Sequence, residues 1–121
     1  TFERCKLMGV DFHNDLILTA TTFTGCNLDY IDFRSVVLEK MSFRQCTFRE
    51  ANFSRASLRQ ATFDDCDLRR VDVTATVFFQ TDVRGSNLGG WNLKRDSLEG
   101  LVVSTGQLRD LVAEVGVLVV D

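Results

Sequence analysis

The sequence predicts an all-β solenoid, a chain wound into a square parallel coil with a helix at its C-terminal end. Three observations carry this. Every fifth residue is apolar through most of the chain. The residues between alternate between inward and outward types. The cysteines recur at a fixed multiple of five.

Stepping by five from Phe23 to Leu108, all 18 positions are Leu, Phe or Val. In a chain that is 45% hydrophobic, chance gives such a run about once in a million. A strand alternates faces with period two and a helix repeats at about 3.6 residues, so five fits neither as a continuous element. The neighbours resolve this. Two residues before the apolar position stand small or apolar residues such as Cys26, Ile31, Val36, Cys46, Ala51 and Ala61. One residue before it stand short polar residues such as Thr22, Asn27, Asp32, Ser42 and Asp67. The two residues after it are mostly charged, polar or glycine. Each repeat therefore reads in, out, in, out, out. The second outward residue resets the parity and demands a corner, and Asp, Asn, Ser and Thr are residues that bond local backbone at corners.

The cysteines set the turn length. Cys26, Cys46 and Cys66 are 20 residues apart in the small inward slot, and Phe23, Phe43 and Phe63 keep the same step. Four repeats per turn place each set in a column. About five coils stacked at ~4.8 Å make a rod of roughly 25 Å. Phe2, Leu7 and Phe12 run one residue out of phase, whereas Leu16 and Leu18 fit the later register. One extra residue thus lies within His13-Asn14-Asp15 as a bulged corner, and Cys5 then joins the cysteine column. Thr1 falls in mid-repeat, which implies residues upstream.

The beat divides the chain into a repeat region, 1–103, and a tail, 104–121. Ser104 or Thr105 can cap a helix whose stripe is Leu108, Leu111, Val112 and Val115. Gly116 is placed to end it. Val117-Leu118-Val119-Val120 reads as a short strand. The helix would cover the open end of the stack.

The composition excludes several classes. With 14 basic and 17 acidic residues the net charge is −3, which argues against direct nucleic-acid binding. No run of about 18 apolar residues is present for a membrane span, and no basic-then-apolar leader opens the sequence. Proline is absent, as suits a chain that is mostly backbone ladder. The cysteine spacing matches no zinc pattern, and in-register strands hold the thiols too far apart for disulfides. Buried thiols favour a reducing, cytoplasmic setting. No nucleophile–base pair, cofactor loop or metal constellation is evident, so an enzyme is not expected, and neither is a cofactor or metal. Gly89-Gly90 lacks the residues of a phosphate loop and reads as a corner. His13 reads as an exposed loop residue.

Several outward residues remain as candidates for contact. Asp64, Asp65 and Asp67 form the densest acidic cluster. Arg44 and Arg84 stand either side of Asp64 in its column, which predicts a cross-coil charge ladder. Asp11, Asp32 and Asp72 share another column, diluted by Asn52 and Asn92 and with Lys94 close by. Arg49, Arg69 and Arg109 line a third, with Arg70 beside it and Asp29 and Gly89 interrupting, and read as a solvated face. Phe79 points outward. Trp91 fills a small inward slot near the helix. Asp96 occupies an inward slot and is expected to accept backbone hydrogen bonds near the helix start.

Ala51-Asn52-Phe53-Ser54-Arg55 and Cys66-Asp67-Leu68-Arg69-Arg70 match the pattern Ala-(Asp/Asn)-Leu-X-X, and residues 1 to about 103 resemble the pentapeptide-repeat family. The resemblance implies a right-handed quadrilateral β-helix. The tail looks like the C-terminal module of the gyrase-protecting quinolone-resistance members. That likeness implies an end-to-end homodimer through Leu108, Leu111, Val112, Val115, Val117, Leu118, Val119 and Val120. It further implies a DNA mimic that occupies DNA gyrase or another type II topoisomerase, with Asp11, Asp32, Asp64, Asp65, Asp67, Asp72 and Phe79 as contacts. Yet roughly 25 Å of duplex carries about 15 negative charges, far more than this chain. The alternative is a structural or protein-interaction scaffold. A continuous acidic wall would favour mimicry, and a mosaic of both signs the scaffold.

Overall fold

One extended segment per repeat carries the chain along one wall, and each new turn stacks on the last in parallel. The computed structural model describes residues 1–12, 17–91 and 98–114. Its strands are β1 (Phe2–Glu3), β2 (Ile17–Thr19), β3 (Thr22–Thr24), β4 (Val37–Glu39), β5 (Ser42–Arg44), β6 (Thr62–Asp64), β7 (Thr81–Asp82) and β8 (Leu101–Val102), followed by α1 (Thr105–Glu114). They are short because each repeat allows about three extended residues before a corner.

The first wall is a six-stranded parallel sheet in the order β1-β3-β5-β6-β7-β8. Single-residue bridges build the second and third walls, through Lys6, Asn27, Thr47, Asp67 and Asn87, and through Asp11, Asp32, Asn52 and Asp72. The fourth wall begins with the β2–β4 pair and continues from Val37 to Ser57 to Val77. The register bears out the cysteine count, because Phe23 pairs with Phe43 and Phe43 with Phe63, each 20 residues on. Phe2 pairs with Phe23 and Asp11 with Asp32, one residue further, whereas Ile17 pairs with Val37 at the ordinary step. The extra residue therefore lies between Asp11 and Ile17. The bulge expected at His13–Asp15 is itself outside the described residues, as are Asp96 and the strand expected at 117–120.

The corners follow one local rule. An Asp or Asn just before the central residue accepts the N–H two positions on, as Asp32 does from Arg34 at 3.0 Å and Asn52 from Ser54 at 2.9 Å. The last residue of the repeat then takes a left-handed backbone, with φ of 59° at Tyr30, 58° at Lys40 and 56° at Glu50. On several corners the next N–H closes on the central carbonyl, Ile31 to Leu28 at 3.2 Å and Ala51 to Phe48 at 3.0 Å. That pattern is a type II turn. Thirteen described left-handed residues are not glycine, and none of them is β-branched, the class that sterics punish most there.

The two inward residues of each repeat fill the interior. Phe23, Phe43 and Phe63 stack with ring centroids 5.4 and 4.9 Å apart, and Phe33 and Phe53 stack at 5.7 Å. The smaller inward slot also ties coils together. Where it holds a donor, the donor reaches the carbonyl 23 residues back. Cys46 reaches Phe23 at 3.4 Å, Cys66 reaches Phe43 at 3.4 Å, and Thr76 reaches Phe53 at 2.8 Å. Ser86 reaches Phe63 at 2.9 Å, and the Trp91 indole reaches Leu68 at 2.7 Å. The cysteines are free thiols, buried except for half-buried Cys5, and burial pushes the Cys26 thiol up.

The helix closes the C-terminal end through a polar residue. Ser104 is its N-cap, accepting the Gln107 N–H at 3.3 Å while its own N–H donates to Gln107 Oε1 at 2.9 Å. This is a reciprocal capping box. Gln107 Nε2 then donates to the carbonyls of Val83 at 2.6 Å and Ser86 at 2.8 Å. Leu111 lies one turn along and is buried in the core, whereas Leu108 is 51% exposed. The buried face is thus Gln107–Leu111, rotated from the expected apolar stripe. The open carbonyls at the end of the coil need a donor, and no apolar side chain supplies one. Gln107→Ala is expected to lose about 2 kcal/mol from the cap. Helical circular dichroism should then melt below the sheet signal, and a single shared transition would count against this role.

Candidate functional site

Among the described residues the interior offers no site. A residual void among Phe53, Leu58, Phe63, Val73 and Trp91 measures about 10 Å³ and has an apolar lining, too small for a ligand. Any chemistry sits on the walls.

On those walls the acids are held by arginines. The sequence Asp-apolar-Arg recurs as Asp32-Phe33-Arg34, Asp67-Leu68-Arg69 and Asp82-Val83-Arg84. In each, the carboxylate accepts both the backbone N–H and the guanidinium of the arginine two residues on. The closest guanidinium contact is 2.7 Å in all three. The guanidinium hydrogen bond holds each of Asp32, Asp67 and Asp82 below the usual carboxylate range. Their charged form is therefore favoured by folding. That contribution is present above the unfolded pKa of about 4 and is lost as pH falls below it. Thermal midpoints should be flat near neutrality and drop below about pH 4. An Asp32→Asn, Asp67→Asn, Asp82→Asn variant keeps the corner acceptors and should flatten that drop, and an unchanged profile would contradict the assignment.

The expected ladder at Asp64 is corrected. Arg44 does approach it, at 3.6 Å between exposed groups. Arg84 instead turns to Asp82, because a partner two residues away needs no long side chain to be ordered across coils. Asp65 is an exposed corner residue with φ of 54°. Asp72 is exposed and accepts the Thr74 N–H at 3.0 Å. The column of Asp11, Asp32, Asn52 and Asp72 forms as expected, with Arg34 drawn onto Asp32.

The second wall holds what the sequence reading missed. Asp29, placed there as an interruption, is only 3% exposed. Its Oδ1 accepts the Arg49 N–H at 2.8 Å, and its Oδ2 takes the Arg49 guanidinium at 3.0 and 3.2 Å. Arg49 lacks the usual acid two residues before it, since Thr47 stands there, and Asp29 supplies one from the neighbouring coil. Arg49 and Arg69 both approach Asp67, at 3.9 and 2.7 Å. Arg70 lies 3.7 Å from Glu50, and the Glu50 carboxylate pushes the Tyr30 hydroxyl above its usual pKa. Arg49, Arg69 and Arg70 line one open depression of about 250 Å³.

The fourth wall is the apolar one. Its outward slot carries Val37, Ser57 and Val77 in register. Phe79 is 50% exposed and Val77 42%. Together with Glu99 and Gly100 they line an open depression of about 410 Å³. Of the residues expected to make a dimer, Leu108 is exposed and Leu111 packs on the chain's own core. Val115, Val117, Leu118, Val119, Val120 and the Val112 side chain lie outside the described residues. Among the described residues no helix is long and apolar enough to cross a membrane.

Comparison with solved structures shows the same coil elsewhere. HetL, a pentapeptide repeat protein involved in heterocyst differentiation regulation in the cyanobacterium Nostoc sp. strain PCC 7120, is 25% identical with a TM-score of 0.79. The match covers 87% of this chain and 49% of HetL, so the chain spans about half of that relative's length. A pentapeptide repeat protein from the Arabidopsis thaliana thylakoid lumen is 21% identical with a TM-score of 0.56, over 84% of this chain and 70% of its own. The plasmid-mediated fluoroquinolone resistance protein QnrB1 is 18% identical over 96% of this chain and 87% of its own, but its TM-score of 0.38 is too low to carry an argument. No curated protein matches the chain. The sequence signature described as a pentapeptide repeat region matches residues 1–73 and 17–105. With that match spanning the coil and the register repeating every four pentads, the chain belongs to the pentapeptide-repeat family.

Proposed function

We propose that the protein is a non-enzymatic scaffold that docks a protein partner on its fourth wall. The observation that carries this is the exposed pair Val77 and Phe79 on that wall, with Val37 two coils back in the same outward column as Val77. Exposed apolar residues that line one depression mark contact sites. A filled interior leaves no cleft for catalysis, and buried thiols suit a reducing cytoplasm.

Mimicry of duplex DNA on gyrase is the second reading, and the charges weigh against it. Asp32, Asp67 and Asp82 each face an arginine, so the walls are a mosaic of both signs. The two readings separate experimentally. A photo-crosslinking residue at position 79 should capture a discrete partner protein in the native host, and one at position 55, on another corner, should not. Equal capture at both, or at neither, would sink the docking wall. Purified protein is expected neither to inhibit gyrase supercoiling nor to relieve ciprofloxacin inhibition at micromolar concentration. Relief would establish the gyrase reading instead. Mass measurement by light scattering at the same concentration tests the proposed end-to-end dimer, which a single-chain mass would contradict.

A further inference from the structure

The second wall, opposite the apolar one, carries a cluster of charge whose arrangement is one-sided. Six charged groups meet there, and they cancel in number but not in position. Two of the carboxylates lie behind, with side-chain exposures of 4% for Asp29 and 21% for Asp67. The guanidiniums lie in front, at 52% for Arg49, 48% for Arg69 and 75% for Arg70. Approaching solute therefore meets arginine.

Buried Asp29 and half-buried Asp67 also fix two of the three arginines in place. Arg49 is gripped by Asp29 through its backbone and two guanidinium nitrogens, and Arg69 by Asp67 through Nε at 2.9 Å and Nη2 at 2.7 Å. A guanidinium has five N–H donors, so each keeps donors beyond those these bonds use. Because both approach the same Asp67 oxygen, the two groups are neighbours. Beyond them the next coil places Gly89 and Gly90 where other coils carry side chains. A Cβ at Gly90 would come within 2.8 Å of Arg70 Cγ, so the bare glycine is what lets Arg70 lie as it does.

We propose that Arg49, Arg69 and Arg70 form a binding site for a phosphate dianion, carried on a phosphorylated segment of a protein partner. Arg49 and Arg69, held by Asp29 and Asp67, have already lost the side-chain freedom that binding would otherwise take away, and the planar forks of all three match phosphate oxygens. Lysines on a mobile surface would offer charge without that order. The depression is open and about 250 Å³, suited to a phosphorylated side chain arriving from outside. Among the described residues of this cluster Glu50 is the acid in front, 42% exposed, and it competes for Arg70. The site deepens the scaffold reading by naming a partner chemistry, and it stands on a different wall from Phe79.

The test uses the whole chain, a phosphoserine peptide, the same peptide unphosphorylated, and inorganic phosphate. The phosphopeptide is expected to shift the amide resonances of Arg70, Gly89 and Gly90, with inorganic phosphate shifting the same amides more weakly. Arg70→Gln should weaken phosphopeptide binding about fivefold, and Glu50→Gln should strengthen it about twofold. Both residues are exposed, so neither change endangers the fold. Arg55→Gln, on another corner, is the control for general charge. The proposal is overturned if those amides stay still, if Arg55→Gln weakens binding as much as Arg70→Gln, or if the unphosphorylated peptide binds equally well. Inorganic phosphate binding as tightly as the phosphopeptide would overturn the assignment to a protein segment. None of these outcomes touches crosslinking at position 79, which tests the scaffold reading separately.

Discussion

Replacing Phe48 with alanine is expected to destabilise the coil by about 4 kcal/mol. Phe48 is fully buried, and its ring lies 5.0 Å from Phe43, 5.5 Å from Phe53 and 5.6 Å from Phe63. It joins the phenylalanine columns of the first and third walls, meeting Phe43 and Phe63 edge-on and Phe53 at a tilt. Backbone ladders hold the coils above and below at a fixed spacing, so the walls cannot close on the space left behind. The transfer and cavity contributions then add with little relief. Chemical denaturation with an unchanged slope should show the full shift in midpoint. Phe79→Ala, a ring of the same size on the outer surface, should stay within about 0.5 kcal/mol of the parent. A loss below about 1 kcal/mol for Phe48→Ala would mean that the interior relaxes more than stacked coils should allow.

Gly100→Ala is the second large effect, at about 3 kcal/mol. Gly100 has φ of +88°, and an added Cβ would stand 2.4 Å from the Phe78 carbonyl oxygen and 2.9 Å from its carbon. Both atoms are backbone of the previous coil and cannot swing aside. The damage should be local, raising amide exchange at Leu101 and Val102 and loosening the cap. Gly9→Ala separates the two contributions. Its φ is +71°, yet nothing lies within 4 Å of the added Cβ. It should show only the left-handed penalty, about 1 kcal/mol. Equal losses at the two glycines would refute the steric account.

Most of the coil was legible because its logic is periodic. The five-step places Phe43 and Phe63 inside, and the cysteine spacing places one above the other, without any knowledge of distances. The same counting put Trp91 inside and Phe79 outside. The left-handed corner had a signal of its own that went unread. From Tyr30 to Gln80, the last position of each repeat never holds Val, Ile or Thr, although the chain is rich in them.

What escaped were residues whose partner is not fixed by the period. Asp29 occupies a slot that is outward elsewhere, and only the missing acid at Thr47 explains why it is buried. Comparing Asp32-Arg34, Asp67-Arg69 and Asp82-Arg84 with Thr47-Arg49 would have exposed that gap. Arg84 could reach either Asp64 or Asp82 by column and by chain, and the shorter local contact wins. Gln107 carried its clue in the Ser-X-X-Gln spacing of a capping box, but an apolar stripe beside it drew the eye to Leu108. The three arginines of the second wall looked like solvated charge because the sequence does not show which of their acids lie behind them.

The inward pattern repeats every five residues, whereas the outward character repeats every 20, as the Val37, Ser57 and Val77 column shows. Deleting one pentad from a corner-to-corner segment would leave the interior filled, yet it would rotate everything downstream by a quarter turn. Phe79 would then face where the third wall stood, and a deletion between the two would move Arg69 off the line of Arg49. Deleting four pentads would shorten the rod and restore every alignment. Length changes in this chain therefore act as a dial with four positions. Such a protein can keep its fold through many insertions and lose its recognition surfaces in all but one of four.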